Sequence, residues 1–438
     1  MRALLILGLM VVLVPLAFFA PFTGLLTFVW IAYVRPHEWA FVPTWQISLI
    51  VAVVTLAGYC FFELPKRSPK LIPNALLLLL WLQVMFSTAL AEDLTSPWPK
   101  FVEFSKIIII SLLMTAMVDS EQRARWLLLV TLGSIGLLAF RANVGIILSR
   151  GTAHISGPGG AFEDNNDFAL LLNMAFPMMI YFGSCETKRW LRWGFYAIAA
   201  MTLITILFTY SRGGFLGLCV ILMALALKSK YKLTALIGGL VLVTALLAVA
   251  PRDIVDRLST IQSAAQTDES AMSRLRAWRV SLWIIKDHPI FGVGLRNILN
   301  IYARYGAEED VRVSHNAYLQ IAVDAGLPAL FLFVSAIGLC YRRLRKARRM
   351  LKTRAPNSRL IAYTHGMEVA LLGYLVSATF LSRHDLELLY EVMALAASFM
   401  LIARSYEHEA EVQEVAATST HDLTPEPAVL ARSVGYRQ

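Results

Sequence analysis

The stretch WGFYAIAAMTLITILFTYSRGGFLGLCVILMALAL (residues 193–227) contains two uncharged apolar runs, and only Ser211-Arg212 lies between them. About 20 apolar residues in a helix cross a hydrocarbon core of roughly 30 Å, and similar runs recur along most of the chain. Inside a bilayer only helices and closed barrels satisfy their backbone groups, and these runs lack the alternation of barrel strands. The sequence therefore predicts an all-α, polytopic integral membrane protein.

Composition and charge agree with that fold class. Hydrophobic residues make up 57% of the 438 residues and charged residues only 16%, which excludes an ordinary soluble domain. The net charge of +10 could indicate nucleic-acid binding, but the basic residues cluster in short loops between apolar runs. Such clustering is typical of membrane topology, so we predict contacts with membrane lipids and no nucleic-acid partner.

Hydropathy predicts a single transmembrane domain, 1–404, of about 12 helices. Residues 1–34 contain one crossing or two short ones split at Pro21, and a long loop, 251–317, precedes the span that starts near 318. The tail 405–438, rich in Glu, Thr and Pro, is predicted to be disordered. The remaining spans are predicted near 46–62, 71–90, 101–118, 127–148, 167–184, 193–210, 213–227, 233–250, 318–340, 360–381 and 387–404.

The basic loops all fall on one side of this arrangement, which assigns that side and the C-terminus to the cytoplasm of a bacterial inner membrane. Their residues are Lys66, Arg67, Lys70, Arg123, Arg125, Lys188, Arg189, Arg192, Lys228, Lys230, Lys232 and the run from Arg342 to Arg359. The loop 149–166, the corner 211–214 and the long loop then face the periplasm. None of the 4 cysteines is predicted to face that oxidising compartment, so no disulfide is expected.

Three basic residues inside the predicted spans lie at a similar depth in the membrane. Lys106, Arg141 and Arg212 all lie in the periplasmic half of their helices. Charges within a membrane usually face a cavity or mark a site, and the coincidence indicates an anion-binding cavity open to the periplasm. The alternative is that each side chain extends separately to the interface.

The long loop contains a predicted amphipathic helix that lies on the outer leaflet. Its apolar residues are Met272, Leu275, Trp278, Leu282 and Ile285, and its basic residues Arg276, Arg279 and Lys286 lie on another face. Pro289 ends the helix, and Gly292 and Gly294 form the next turn. The helix could instead only anchor the loop on lipid phosphates.

Four motifs follow one another on the predicted periplasmic side. They are Ser211-Arg212-Gly213-Gly214, Arg274 four residues before Trp278, HPIFGVGLRN at 288–297, and Ser314-His315-Asn316 followed by Gly326. Together they resemble the O-antigen ligase and polymerase superfamily, whose members join a glycan carried on undecaprenyl diphosphate to an acceptor. That acceptor is usually a sugar hydroxyl of the lipid A core. PFTGLLTFVWIAYVRPHEW, 21–39, resembles more narrowly the exosortase-associated O-glycosylation ligases.

The resemblance implies that His315 is the catalytic base and that Arg212 and Arg274 hold the diphosphate. The chemistry suits these residue types, because a neutral imidazole can accept the hydroxyl proton and guanidinium forks match phosphate oxygens. No D-x-D motif or compact His/Asp cluster occurs, so we expect a metal-independent glycosyltransferase without a cofactor. Further predicted substrate-binding residues are Lys106, Arg141, Arg276, Arg296, Asn316 and Asp385.

Two questions stay open in the sequence. The loop 157–167 concentrates Glu163, Asp164 and Asp167, which either cap the next helix or form an acceptor-binding or metal site. The enzyme is a lipopolysaccharide ligase, a polysaccharide polymerase or a protein O-glycosylation ligase, and the motifs do not separate these acceptors. A transporter of lipid-linked oligosaccharide is the alternative from another class, which Glu368 and Glu391 favour.

Overall fold

A computed structural model describes residues 2–39, 47–64, 72–152, 154–159, 162–249, 269–305 and 311–421, and within these ranges every regular element is a helix. The first seven longer helices are α1 (Arg2–Phe19), α2 (Pro21–Val34), α3 (Ile47–Gly58), α4 (Ala75–Ala89), α5 (Pro97–Met117), α6 (Glu121–Leu148) and α7 (Asn165–Ser184). The other seven are α8 (Arg189–Phe208), α9 (Arg212–Lys228), α10 (Lys232–Val249), α11 (Glu269–Asp287), α12 (Ala317–Arg354), α13 (Leu360–Ser377) and α14 (Glu387–His421).

Eight of the helices in the described ranges are long and apolar enough to cross a membrane. These eight are Arg2–Phe19, Ile72–Ala89, Glu121–Leu148, Asn165–Ser184, Arg189–Phe208, Ala317–Arg354, Leu360–Ser377 and Glu387–Val412. The protein is therefore an all-helical, multi-pass membrane protein, and the predicted number of about 12 crossings stays a prediction. Residues 2–34 form two helices, because α2 starts at Pro21, where a missing N–H costs no hydrogen bond.

The core of the bundle lies among α7, α12, α13 and α14, which pack on one another and enclose most of their side chains. Small residues permit the closest approaches, as is usual between membrane helices. A Cβ atom at Gly366 of α13 would lie 3.1 Å from the Cα atom of Met178 in α7. Around this core, α4 packs on α12, and α2 packs on α6.

Helix α12 is kinked near its N-terminus. Ala325 and Gly326 have non-helical backbone angles, and Gly326 has φ +82°. The turn 288–297 passes against this kink: Val293 N–H donates to the carbonyl of Val323 at 2.9 Å, and Leu327 N–H donates to that of Pro289 at 2.8 Å. Gln83 of α4 donates to the carbonyl of Ala325 at 2.9 Å, so the carbonyls opened by the kink have partners.

Helix α11 packs on α12 and lies within the loop predicted at 251–317. Ala277, Val280 and Ile284 are buried, whereas Met272 and Leu282 are exposed. The exposed face therefore carries apolar residues of the predicted amphipathic pattern. Part of that loop, 251–268 and 306–310, lies outside the described residues.

Helix α14 extends into the region where the disordered tail is predicted to start. It continues beyond residue 405 to His421, because Glu and Ala residues of good helix propensity continue the apolar span. Residues 422–438 lie outside the described residues.

Candidate active site

His315 lies in the short segment before α12. The residue adopts φ 46°, and Asn316 caps α12 by accepting from the backbone N–H groups of Tyr318 and Leu319. The cap is thus Asn316, which leaves the His315 imidazole without a capping role. Ala317 N–H donates to the carbonyl of Ala378 at 2.8 Å, which fixes the segment against the end of α13.

The electrostatic environment keeps His315 neutral. Burial lowers its pKa, and Arg274 and Arg312 lower it further, to about 4, although Asp164 acts in the opposite direction. Burial disfavours the charged form, and nearby cations do the same for an imidazolium. At neutral pH the ring therefore has a lone pair available to accept a proton.

Helix α11 brings Arg274 to His315. The hydroxyls of Ser281 in α11 and Ser314 lie 2.9 Å apart, and Nη1 of Arg312 donates to Oγ of Ser273 at 2.6 Å. These contacts hold the helix and the His315 segment side by side. Arg274 and His315, 41 positions apart by their numbers, thus meet in one site.

Arg212 is the first residue of α9, at a corner that contacts the C-terminal end of α13. Ser211 caps α9 by accepting from Gly214 N–H, and its hydroxyl donates to Oδ1 of Asn166 at 2.8 Å. Oγ of Ser377 faces the carbonyl of Gly213 at 3.5 Å, and the next residue, Ala378, accepts from Ala317. The corner and the His315 segment therefore contact consecutive residues of α13 and its C-cap.

A cavity of about 980 Å³ adjoins this group, and Val313, Asp164 and Arg296 line it. Its inner walls are apolar, with Val29, Ile31, Phe104 and Ile110 from α2 and α5. Its charged lining includes Arg35, Lys100, Glu103, Lys106, Glu163, Asp167, Arg383, Asp385, Glu387 and Glu391. The arrangement offers an imidazole base and arginines beside a space that can admit a polar, flexible substrate.

Residues 196–334 match a family model described as O-Antigen ligase. Over these residues the chain is similar to the O-antigen ligase family. The matched region contains Arg212, Arg274, Arg296 and His315, all of which lie at one end of the helix bundle. A second model, of a family of unknown function, matches residues 1–160. No curated protein matches the chain.

The observed cavity differs from the predicted anion-binding cavity in its charge. Of the three cations expected to share an anion-binding cavity, Lys106 lines it, whereas Arg141 lies on the exposed side of α6 and Arg212 lies at the α9 corner. Among the described residues, seven carboxylate and five basic side chains line the cavity, so it is not a purely cationic space.

The remaining predicted site residues have distinct positions. Arg296 and Asp385 line the cavity and lie 3.9 Å apart. Arg276 is exposed on α11. The side-chain oxygen of Asn316 is used in capping α12, and that of Asp164 caps α7. Within the described part of the chain, no three His, Cys, Asp or Glu side chains lie close enough to hold a metal ion.

Arg383 is the main site residue that sequence reasoning did not identify. It is buried at the cavity wall, where its Nε lies 3.1 Å from Oδ1 of Asp385 and its Nη1 lies 3.8 Å from Oδ2 of Asp167. Although burial raises the pKa of Asp385, Arg383 and Arg296 hold that pKa well below its usual range. The available signal was the run Arg383-His384-Asp385 between two apolar helices.

Proposed function

We propose that this protein is a member of the O-antigen ligase superfamily and transfers a glycan from undecaprenyl diphosphate to an acceptor hydroxyl on the periplasmic face of the bacterial inner membrane. One observation carries the proposal: His315 is half-buried within electrostatic range of Arg274, in a segment that contacts the same helix end as the Arg212 corner. The reaction requires a base for the acceptor hydroxyl and cationic groups that stabilise the leaving diphosphate. A neutral imidazole beside guanidinium groups can supply both.

His315 acts as the general base. Its free ring nitrogen takes the proton of the acceptor hydroxyl, and the oxygen attacks the anomeric carbon of the donor glycan. A new glycosidic C–O bond forms while the bond from that carbon to the diphosphate oxygen breaks. The electron pair leaves with undecaprenyl diphosphate, whose growing charge is stabilised by Arg212 and Arg274 through bidentate hydrogen bonds. The arginines take the place that a divalent metal has in other glycosyltransferases.

The cavity is where the acceptor reaches His315. Asp164 and Arg296 line it and also lie within electrostatic range of the imidazole. Its carboxylate and guanidinium groups can hydrogen-bond sugar hydroxyls, and its apolar walls suit the lipid portion of an amphiphile. A sugar hydroxyl of the lipid A core is the first acceptor to test, and a growing glycan or a protein hydroxyl is the alternative.

The two acidic residues that favour a transporter have structural partners. Glu368 forms ion pairs with Lys228 of α9 and with Arg348 of α12. Glu391 accepts hydrogen bonds from Thr131 of α6 and from Tyr33 of α2, the latter at 3.1 Å. Buried charges with such partners are accounted for by helix packing, which removes the main reason to assign them to ion coupling.

Purified protein in proteoliposomes, supplied with undecaprenyl-diphosphate-linked glycan and lipid A core, tests the proposal. We expect glycan joined to the acceptor, release of undecaprenyl diphosphate, and the same rate in EDTA. His315→Ala should abolish transfer while carrier binding persists, because the arginines remain. Movement of the carrier across the bilayer without a new glycosidic bond would instead establish a transporter. Equal losses of carrier affinity and rate would give His315 a binding role.

A further inference from the structure

Gln320, at the start of α12, is fully buried and joins two parts of the site. Its Oε1 accepts from the backbone N–H of Ser314 at 3.0 Å, and its Nε2 donates to Oδ1 of Asp324 at 2.7 Å. These partners determine the orientation of the carboxamide, because an N–H faces one end and a carboxylate faces the other.

Asp324 in turn accepts hydrogen bonds from the turn that carries Arg296. Its Oδ1 also accepts from the backbone N–H of Arg296 at 3.1 Å, and its carbonyl accepts from Gly294 N–H at 2.9 Å. Arg296 has φ 59° and His315 has φ 46°, so both sit in the left-handed region that is unfavourable for non-glycine residues. Such conformations persist only where the surrounding contacts fix them.

We propose that Gln320 is the positioning residue of this site. Through Ser314 it holds the backbone of His315, and through Asp324 it ties that segment to the Arg296 turn. The inference rests on the proposed role of His315 as base. Gln320 is fully buried, so its effect on the reaction passes through His315 rather than through direct contact with substrate.

Loss of the Gln320 carboxamide should lower the transfer rate without weakening donor binding. In Gln320→Leu the buried N–H of Ser314 loses its acceptor, which favours conformations that expose it to water. His315 then leaves its left-handed conformation, and the base no longer faces the acceptor. Arg212 lies on α9, and Arg274 lies on α11, which also packs directly on α12. Both arginines therefore keep their positions, and donor binding is retained.

Hydrogen exchange on the full-length protein in lipid nanodiscs tests the positioning directly. In Gln320→Leu, the peptide that covers 311–317 should exchange roughly tenfold faster, as expected for one lost buried hydrogen bond. The turnover rate should fall by at least about tenfold with an unchanged KM for the donor. Thr364→Val is the matched control, because this buried hydroxyl bonds only one turn back, to the carbonyl of Ile361.

Gln320→Glu provides a second variant that keeps an acceptor oxygen for Ser314 N–H. Exchange of 311–317 should stay slow in this variant, while the Arg296 turn exchanges faster because two carboxylates now face each other. Unchanged exchange of 311–317 in Gln320→Leu, or equally fast exchange in Gln320→Glu, would overturn the proposal. If His315→Ala retains full transfer, the proposed function fails, whereas the exchange measurements still report on Gln320.

Discussion

At the scale of single residues, the proposed chemistry depends on how neighbouring elements set the backbone conformation and the pKa of His315. Its left-handed backbone and its partial burial are both unfavourable in isolation, and both are imposed by neighbouring elements. Asn316 caps the helix, so the imidazole is not needed for folding in that role. A residue kept in this state beside three arginines is better explained by chemistry than by stability.

The pH dependence of transfer follows from that environment. The base must be neutral, and burial together with Arg274 lowers the pKa of His315 from 6.5 to about 4. Activity should therefore persist below pH 6.5 and be lost only as pH falls through about 4. Transfer rates at saturating donor, measured from acidic to neutral pH, check this. An acid limb at the ordinary imidazole value would contradict it.

Arg212 and Arg274 should each be needed for turnover. Truncation to Ala is expected to lose roughly 2–4 kcal/mol of transition-state stabilisation, by analogy with the loss of an oxyanion donor. Lys should restore little, because an ammonium group lacks the planar fork. Single-turnover kinetics provide the measurement, with Arg279→Ala on the exposed side of α11 as the control. Near-normal transfer by an Arg274→Ala protein that inserts normally would refute the assignment.

At the scale of elements, the kink of α12 connects the sequence motifs to one another. Gly326 follows His315 in the motif, and its backbone approaches the carbonyl of Ile290 in the turn 288–297. Gln83 and Ser87 of α4 hydrogen-bond to carbonyls at the same kink. The region matched by the family of unknown function thus supports α12 through α4.

Gly326→Ala should disrupt this joint. The φ of +82° is unfavourable for Ala, and its Cβ would clash with the carbonyl of Ile290. We expect a loss of roughly 2–5 kcal/mol of stability, together with a large loss of transfer. Gly338→Ala, in the same helix, is the matched control, because nothing lies within 4 Å of its added Cβ. Thermal unfolding in detergent compares the two, and similar melting temperatures would show that the kink tolerates a side chain.

At the scale of the whole molecule, buried ion pairs hold distant helices together at the end opposite His315. Glu368 of α13 is 1% exposed and meets Lys228 of α9 and Arg348 of α12. Arg125 of α6 similarly contacts Glu186 with two hydrogen bonds, at 2.7 and 2.8 Å. Because these helices also carry Arg212 and His315, their alignment sets the geometry of the site.

Glu368→Ala should therefore destabilise the fold. Two partly buried cations would lose their common partner, which typically costs about 3–5 kcal/mol. Thermal unfolding in detergent should show a clearly lower melting temperature. Glu92→Ala is the control, since its ion pair with Arg304 is exposed and should contribute little. Equal melting temperatures for the two variants would show that the buried pairs do not hold the bundle.

The sequence by itself determined the helical membrane class and predicted His315, Arg212 and Arg274 as site residues, because hydropathy and short motifs are properties of neighbouring positions. Only the tertiary structure decided which side chains meet. In the structure, Arg141 lies on the exposed side of α6 and Asn316 caps α12. Arg383 lines the cavity, and Gln320 accepts a hydrogen bond from Ser314. The physical reason is that the cavity forms between α2, α5 and α14, whose relative placement depends on packing among helices far apart in the chain.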